Sequence, residues 1–430
     1  MRARRIWVFV FVLLTVGAFS AASPIYADEV LHWNRVACRV VTTAPATAPP
    51  LAARILAMTH AAVFDAHNGI GRRFAPIHVG LDEAAPQPGA SKRAAVVQAA
   101  FAVLVAEYPA QADALLADRA ASLAGIAAGA AENGQAIQRG LEWGQYVAER
   151  IRAWRAADGV FPLMTDPGSL DIGAWRPTPP AFAPGFGITL GQAVPFAVPT
   201  ASTFRPAGPP ALSSLEYALD LQEVQRVGEA VTTERTADQT EAARFWAGTA
   251  PTFWNRAAVD AAERRRTTLS QNARLFALMN MAIADTNITI FEAKYYFRLW
   301  RPITAIRLAD TDGNPLTTAQ LDWAPFLANP PYPEYPSGHQ SISGAAATVL
   351  TAYFGDMPTS GTSEGLPGVT RSWSSFEAAA DEASMARIWS GIHFRTAMRD
   401  TRTCAREVAG YVLRHAAQPL MGAHAGQLGK

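Results

Sequence analysis

Cysteine is nearly absent from this chain: its 430 residues include two, Cys38 and Cys404. They allow at most one internal disulfide, which would close a very long loop and could stabilise by a few kcal/mol. Two separate buried thiols fit the sequence equally well. Net charge is nearly absent too. Against 37 Lys and Arg stand 36 Asp and Glu, leaving +1. With no basic excess to neutralise a phosphate backbone, there is no reason to expect a nucleic-acid partner. Long apolar runs are missing beyond the N-terminus: nothing after residue 27 supplies the ~18 uninterrupted apolar residues of a membrane span. Strand signals are few, and no internal repeat or low-complexity tract stands out.

What is present is apolar and helical. Hydrophobic residues make up 50% of the chain, enough for a large core. This length would ordinarily suggest two or three domains. Residues 1–27 read as a signal peptide, with Arg2, Arg4 and Arg5 as the basic end, Ile6 to Phe19 as the apolar run and Ile25-Tyr26-Ala27 as the cleavage end. A mature chain beginning at Asp28 loses three Arg and no acid, so the charge moves from +1 to −2. The expected location is the periplasm or the cell exterior, where a disulfide is permitted. Ala-rich periodic stretches predict helices near 50–68, 91–107, 131–157, 214–231, 237–247, 254–264, 269–299, 338–354, 376–389 and 393–416. The expected class is therefore all-α, a helical bundle. Residues 158–212 are dense in Pro and Gly and carry Phe161, Trp175, Phe182, Phe186, Phe196 and Phe204. A structureless loop this long is unusual, so the segment reads as an irregular cover packed on the bundle. The chain divides into the signal peptide 1–27, an N-terminal helical part 28–267 containing that segment, a core 268–415 and a tail 416–430.

Three short stretches place cationic or histidine side chains where an oxyanion could be held. The first is Lys294-Tyr-Tyr-Phe-Arg-Leu-Trp-Arg301-Pro302. Seven positions are close to two helical turns, so Lys294 and Arg301 are expected on one helix face, roughly 10 Å apart along the axis. Pro302 disfavours helical geometry at Arg301, which puts that residue at a helix end or kink. Snorkelling surface cations are the plain alternative, but the aromatics Phe291, Tyr295, Tyr296, Phe297 and Trp300 suggest burial, and buried cations need a counter-charge. The second stretch is Pro336-Ser-Gly-His339. Residues 329–336 are too rich in proline to be helical, so a helix starts near Ser337. Its free N–H groups and positive dipole end favour an anion. Gly338 lets the backbone approach, the Ser337 hydroxyl can donate, and His339 can act as acid or base near neutrality. A plain Ser N-cap is the default for Ser-Gly alone. The third stretch is Arg387-Ile-Trp-Ser-Gly-Ile-His393. Ser390-Gly391 predicts a helix break, with Arg387 ending one helix and His393 opening the next. Alone, this stretch reads better as a surface arginine and a satisfied core histidine.

Taken in order, the three stretches resemble the vanadium-dependent haloperoxidase and type 2 phosphatidic acid phosphatase (PAP2) superfamily. Its pattern is Lys, six residues, Arg-Pro; then Pro-Ser-Gly-His; then Arg, five residues, His. The match is complete at those positions, within residues 268–415. Leu31-His-Trp-Asn-Arg-Val, residues 52–65 and Ala174-Trp-Arg-Pro add a weaker likeness to the exported bacterial haloperoxidase branch. The resemblance implies a helical bundle in which Lys294, Arg301 and Arg387 hold the oxygens of vanadate or phosphate. Ser337 and the Gly338 N–H add hydrogen bonds. His393 is the ligand to vanadium and His339 the acid/base on the opposite side, with Lys294, His339 and His393 as the catalytic set. The activity so implied is oxidation of halide by hydrogen peroxide to a hypohalous acid equivalent. The runner-up is an exported acid phosphatase hydrolysing phosphomonoesters through a phosphohistidine at His393; a third reading is a non-catalytic phosphate-binding member. The lack of a membrane span argues against the integral-membrane lipid phosphatases.

The chain departs from the family pattern in places. Ala386 stands where many relatives have Ser, and Ala397 where many have an Asp that would orient the imidazole. Asp400 is a candidate substitute on part of the same helix face. Tyr332, five residues before Ser337, matches a position where fungal relatives carry an aromatic near the halide. His60, Asp65 and His67 share one predicted helix, but core or capping roles are expected there rather than metal binding. Asp285 faces away from Lys294 and is expected to pair with an arginine. Glu292 and Arg298 read as ordinary helix-surface charge.

Overall fold

The computed structural model describes residues 28–43, 47–80, 84–129 and 131–420. The stretch 1–27 expected to be a signal peptide, and the last ten residues of the tail, lie outside the described residues. Among the described residues, thirteen α-helices run in chain order: α1 (Glu29–Thr42), α2 (Pro49–Gly71), α3 (Lys92–Glu107), α4 (Ala112–Ala128), α5 (Gly134–Ala156), α6 (Leu215–Val227), α7 (Ala237–Phe245), α8 (Ala250–Arg265), α9 (Leu269–Phe297), α10 (Pro302–Arg307), α11 (Gly338–Phe354), α12 (Phe376–Trp389) and α13 (Arg395–His415). One antiparallel hairpin, β1 (Thr359–Thr362) with β2 (Thr370–Trp373), pairs Thr359 with Trp373 and Thr362 with Thr370. The all-α expectation holds. The sequence reading did not list α1, α4, α10 or the hairpin.

Helix α9 is the axis of the fold. Thr268 and Gln271 form a reciprocal capping box at its start. Its apolar residues lie on every side, as in a core helix, and the side chains of Leu275, Phe276, Leu278, Met279, Ile283 and Ile290 are buried. Helices α2, α11 and α13 pack around it. The helix ends at Phe297, where Arg298 turns left-handed (φ 54°) and its N–H caps Lys294 O. The N-terminal half thus shares one apolar core with the C-terminal half.

Residues 158–212 contain one 3-10 turn, Leu190–Gln192, and no α-helix. The bundle holds this segment by polar anchors. Asp285 on α9 accepts three consecutive backbone N–H groups, from Phe196 (2.6 Å), Ala197 (2.8 Å) and Val198 (3.0 Å). The expected arginine is present only as a nearby charge, Arg155, while the carboxylate's hydrogen bonds go to backbone. Glu292 binds Arg205, and Arg298 binds Asp166 at 2.6 Å. These two are therefore ties to the covering segment rather than loose surface charge. At Gly191 an added Cβ would lie 2.5 Å from the Glu292 backbone N, so the 3-10 turn rests directly on α9.

Candidate active site

Arg301 is not on the helix of Lys294. The left-handed turn at Arg298 stops α9, and Arg301 becomes the extended N-cap of α10 (φ −77°, ψ 156°) ahead of Pro302. The expectation of two cations on one helix face therefore fails. Proline at helix position N1 needs no N–H partner there, so it starts α10 instead of kinking α9. The two side chains still meet, because the turn folds Arg301 back toward the loop before α11.

That loop, residues 329–336, is organised by the cations. Lys294 is fully buried, and its Nζ donates to Pro333 O (2.7 Å), Glu334 O (3.0 Å) and Pro336 O. All three of its N–H groups are thus engaged on carbonyls. Burial, reinforced by Arg301, holds its amino group well below the usual lysine range. Arg301, also fully buried, donates from Nε to Tyr332 O at 2.9 Å and from Nη1 to Ile392 O at 2.8 Å. Its Nη2 has no partner among the described residues. The Tyr332 ring lies 4.9 Å from Lys294 Nζ and 5.0 Å from Arg301 Cζ.

Ser337 caps α11 as expected, its hydroxyl accepting from Gln340 N at 3.4 Å while its own N–H donates to Thr401 Oγ1 at 2.8 Å. In front of Gly338 there is room: an added Cβ would find only Tyr332 Oη, 3.9 Å away. The third stretch folds as expected. Arg387 sits in the last turn of α12, Ser390 caps it, Gly391 takes φ 77°, and His393 precedes α13. Arg387 donates from Nη1 to Trp246 O at 3.3 Å, and its Nε is unpartnered among the described residues. His339 Nε2 is likewise unpartnered. Burial lowers the pKa of both imidazoles well below the ordinary value. For His393 the neighbouring Arg301, Lys294, Arg387 and His339 add to that push; for His339, Arg387 does. A cavity of about 620 Å³, lined in part by Pro50, Phe186, Leu327, Tyr332, His339 and Arg387, opens onto this group. Phe186 brings the covering segment to its wall.

The sequence reading missed Glu334. Its carboxylate is fully buried, and Oε1 lies 2.8 Å from His393 Nδ1 and 2.9 Å from the Phe394 N–H. Burial pushes its carboxyl up to about 7, opposed by the Phe394 amide and by Arg301 and Lys294. A lone acid inside a proline-rich loop beside the motif was the available signal. Asp400 does not take the role considered for it. It bonds Tyr335 Oη at 2.8 Å and Arg399 Nε at 2.8 Å, while Ala397 lies in an apolar cluster with Phe394 and Met398. Among the described residues no three His, Cys, Asp or Glu side chains could hold a metal ion together. His60 bonds Asn34 Oδ1 at 2.9 Å, and Asp65 accepts the N–H groups of Ile77, His78 and Val79. The two cysteines are buried and unpaired.

Comparison with known proteins follows the same lines. A family model described as the VCPO second helical-bundle domain matches residues 274–422. The curated vanadium chloroperoxidase of Curvularia inaequalis is 26% identical over 406 residues, covering 76% of this chain. The match spans 66% of that relative's length, just under two thirds. A solved structure titled as the first bacterial vanadium-dependent iodoperoxidase superposes with a TM-score of 0.76 at 27% identity, covering 90% of this chain and 96% of that one. A holo-type bacterial vanadium-dependent chloroperoxidase shares the fold, with a TM-score of 0.62 at 16% identity over 85% of this chain and 92% of that one.

Proposed function

We propose, from the premise that the chain belongs to the vanadium haloperoxidase and PAP2 superfamily, that it oxidises halide with hydrogen peroxide at a vanadate held by His393. The observation that carries this reading is a charge imbalance. Arg301 and Arg387 are buried, each with a donor unpartnered among the described residues, and Lys294 is buried beside Arg301, while the buried carboxylate Glu334 is bonded to His393 and Phe394. Uncompensated buried cations are costly, and a tetrahedral oxyanion offsets both the charge and the open donors.

The residues fit that anion. Arg301 Nη2 and Arg387 Nε are free to donate charge-assisted hydrogen bonds. The open space at Gly338, at the N-terminus of α11, lets an oxygen approach the first backbone N–H groups. His393 presents Nε2 on the same side as Arg301 Nη1, 3.2 Å away. When bound, vanadate would supply the Lewis acidity that makes a peroxide oxygen electrophilic toward halide. His339, whose cationic form is disfavoured by burial and by Arg387 and which lines the cavity, would take a proton from incoming peroxide and return it to the product. Lys294 acts on the loop: its three carbonyl contacts fix the backbone that carries Glu334 and Ser337. The apolar walls at Pro50, Phe186 and Leu327 limit water around the reacting group.

The test is peroxide-dependent bromination by the purified protein, with and without added orthovanadate. The expected result is turnover that requires vanadate and is abolished in His393→Ala. Vanadate binding without any halide oxidation would overturn this reading in favour of phosphomonoester hydrolysis on the same residues.

A further inference from the structure

Two hydrogen bonds fix where the single proton of the His393 ring must sit. Nε2 faces Arg301 Nη1 at 3.2 Å. A guanidinium can only donate, so Nε2 must be the bare, accepting nitrogen. The ring proton is then on Nδ1, which faces Glu334 Oε1 at 2.8 Å. That same oxygen receives the Phe394 N–H at 2.9 Å, so two donors converge on it and it acts as an acceptor. Glu334 is itself held in place. Its carbonyl receives Lys294 Nζ at 3.0 Å, and its N–H donates to Leu299 O at 2.9 Å. Among the described residues no other carboxylate bonds the ring: the position four residues after His393 is Ala397, and Asp400 is committed to Tyr335 and Arg399.

We propose that Glu334 is the positioning residue of His393: by accepting the Nδ1 proton it fixes the ring's tautomer and orientation and leaves the Nε2 lone pair bare for the bound anion. A carboxylate partner on the second ring nitrogen also makes the ligating nitrogen a better electron-pair donor. The inference rests on the proposed function only for the identity of the anion; the tautomer stands on the hydrogen bonds alone.

The charge of Glu334 allows a test with opposite signs. Removing a negative charge from a cationic site should tighten every oxyanion if charge were the only role. Vanadate differs from phosphate in accepting a fifth ligand from Nε2, whereas phosphate relies on the surrounding donors alone. In Glu334→Gln, which keeps the side-chain shape, calorimetric titration is expected to show orthovanadate bound about 10–100-fold more weakly. Inorganic phosphate should be held as well as before or more tightly. Both anions shifting together in either direction, or neither shifting, would overturn the proposal. The ¹⁵N spectrum of histidine-labelled wild-type protein without added anion gives a second readout. The expected result is His393 with Nδ1 protonated and Nε2 bare; the opposite tautomer sinks the inference whatever the variant does, including a failure to fold. A wild-type protein that binds phosphate but no vanadate would end the proposed function and leave the tautomer to decide the role of Glu334.

Discussion

At His60 the imidazole stacks on Phe276, with ring centroids 5.2 Å apart, and is almost completely buried on α2. Burial lowers its pKa from 6.5 to about 3. The unfolded chain therefore takes up a proton near pH 6.5 that the folded chain refuses until much lower pH. Stability is full above 6.5 and is lost as pH falls toward 3. At ~1.4 kcal/mol per unit, the step from pH 6.5 to 4 costs up to ~3 kcal/mol at this one side chain. Asp65 on the same helix works the other way: its carboxyl is pushed up to about 6 by burial, so its share of stability falls as pH rises toward 6. Comparison with a variant isolates the histidine. Urea midpoints of His60→Gln should be flatter than wild type between pH 6.5 and 4; parallel profiles would refute the assignment. At this scale the sequence was legible in which side chains would be gathered at one place, as with Arg301, His339, Arg387 and His393. It was not legible where a partner comes from the backbone or from a loop. Nothing in the spacing says that Lys294 would spend its donors on carbonyls, or that Glu334 would replace the acid missing at Ala397.

Helices with a buried stripe were legible over most of their length, because 3.6-residue periodicity is a local signal. Helix α4 buries only Leu115, Ser122 and Ile126, which leaves almost no stripe to find. Helix α1 follows directly on the apolar N-terminal run, and its Val30, Trp33 and Val36 blend into it. The covering segment was legible by composition but not by attachment. Besides the Glu292–Arg205 and Arg298–Asp166 ties, its attachment to α9 includes Asp285 reaching three amides almost ninety residues away in sequence, a pairing that only the folded chain creates. In Asp285→Ala the N–H groups of Phe196, Ala197 and Val198 lose their acceptor. Each buried unsatisfied donor costs about 1–3 kcal/mol, so the segment should come away before the bundle unfolds. Limited proteolysis should then cut within 158–212 much faster than in wild type, with global helicity by circular dichroism largely kept. Cleavage elsewhere first, or at an unchanged rate, would contradict this role.

The site belongs to the whole molecule rather than to the motif-bearing part. Residues 274–422 carry the cations and histidines, but Pro50 comes from α2 and Phe186 from the covering segment, and both wall the cavity. The same closure of the molecule decides the chemistry of its two thiols. Cys38 lies on α1 and Cys404 on α13, both buried, and burial pushes each thiol up to about 12. At neutral pH neither is a thiolate, and thiolate is the reactive form. A disulfide joining the chain ends was open from the sequence, and an exported chain would permit it. The fold instead sets the two sulfurs in separate packed environments, so stability must come from the shared core without a covalent tie. Native protein should therefore leave a thiol reagent such as Ellman's almost untouched, and unfolding in urea should release both thiols. A reducing agent should leave the melting temperature unchanged. An intact mass lighter by two hydrogens, with a melting temperature that falls on reduction, would show that the ends are tied together.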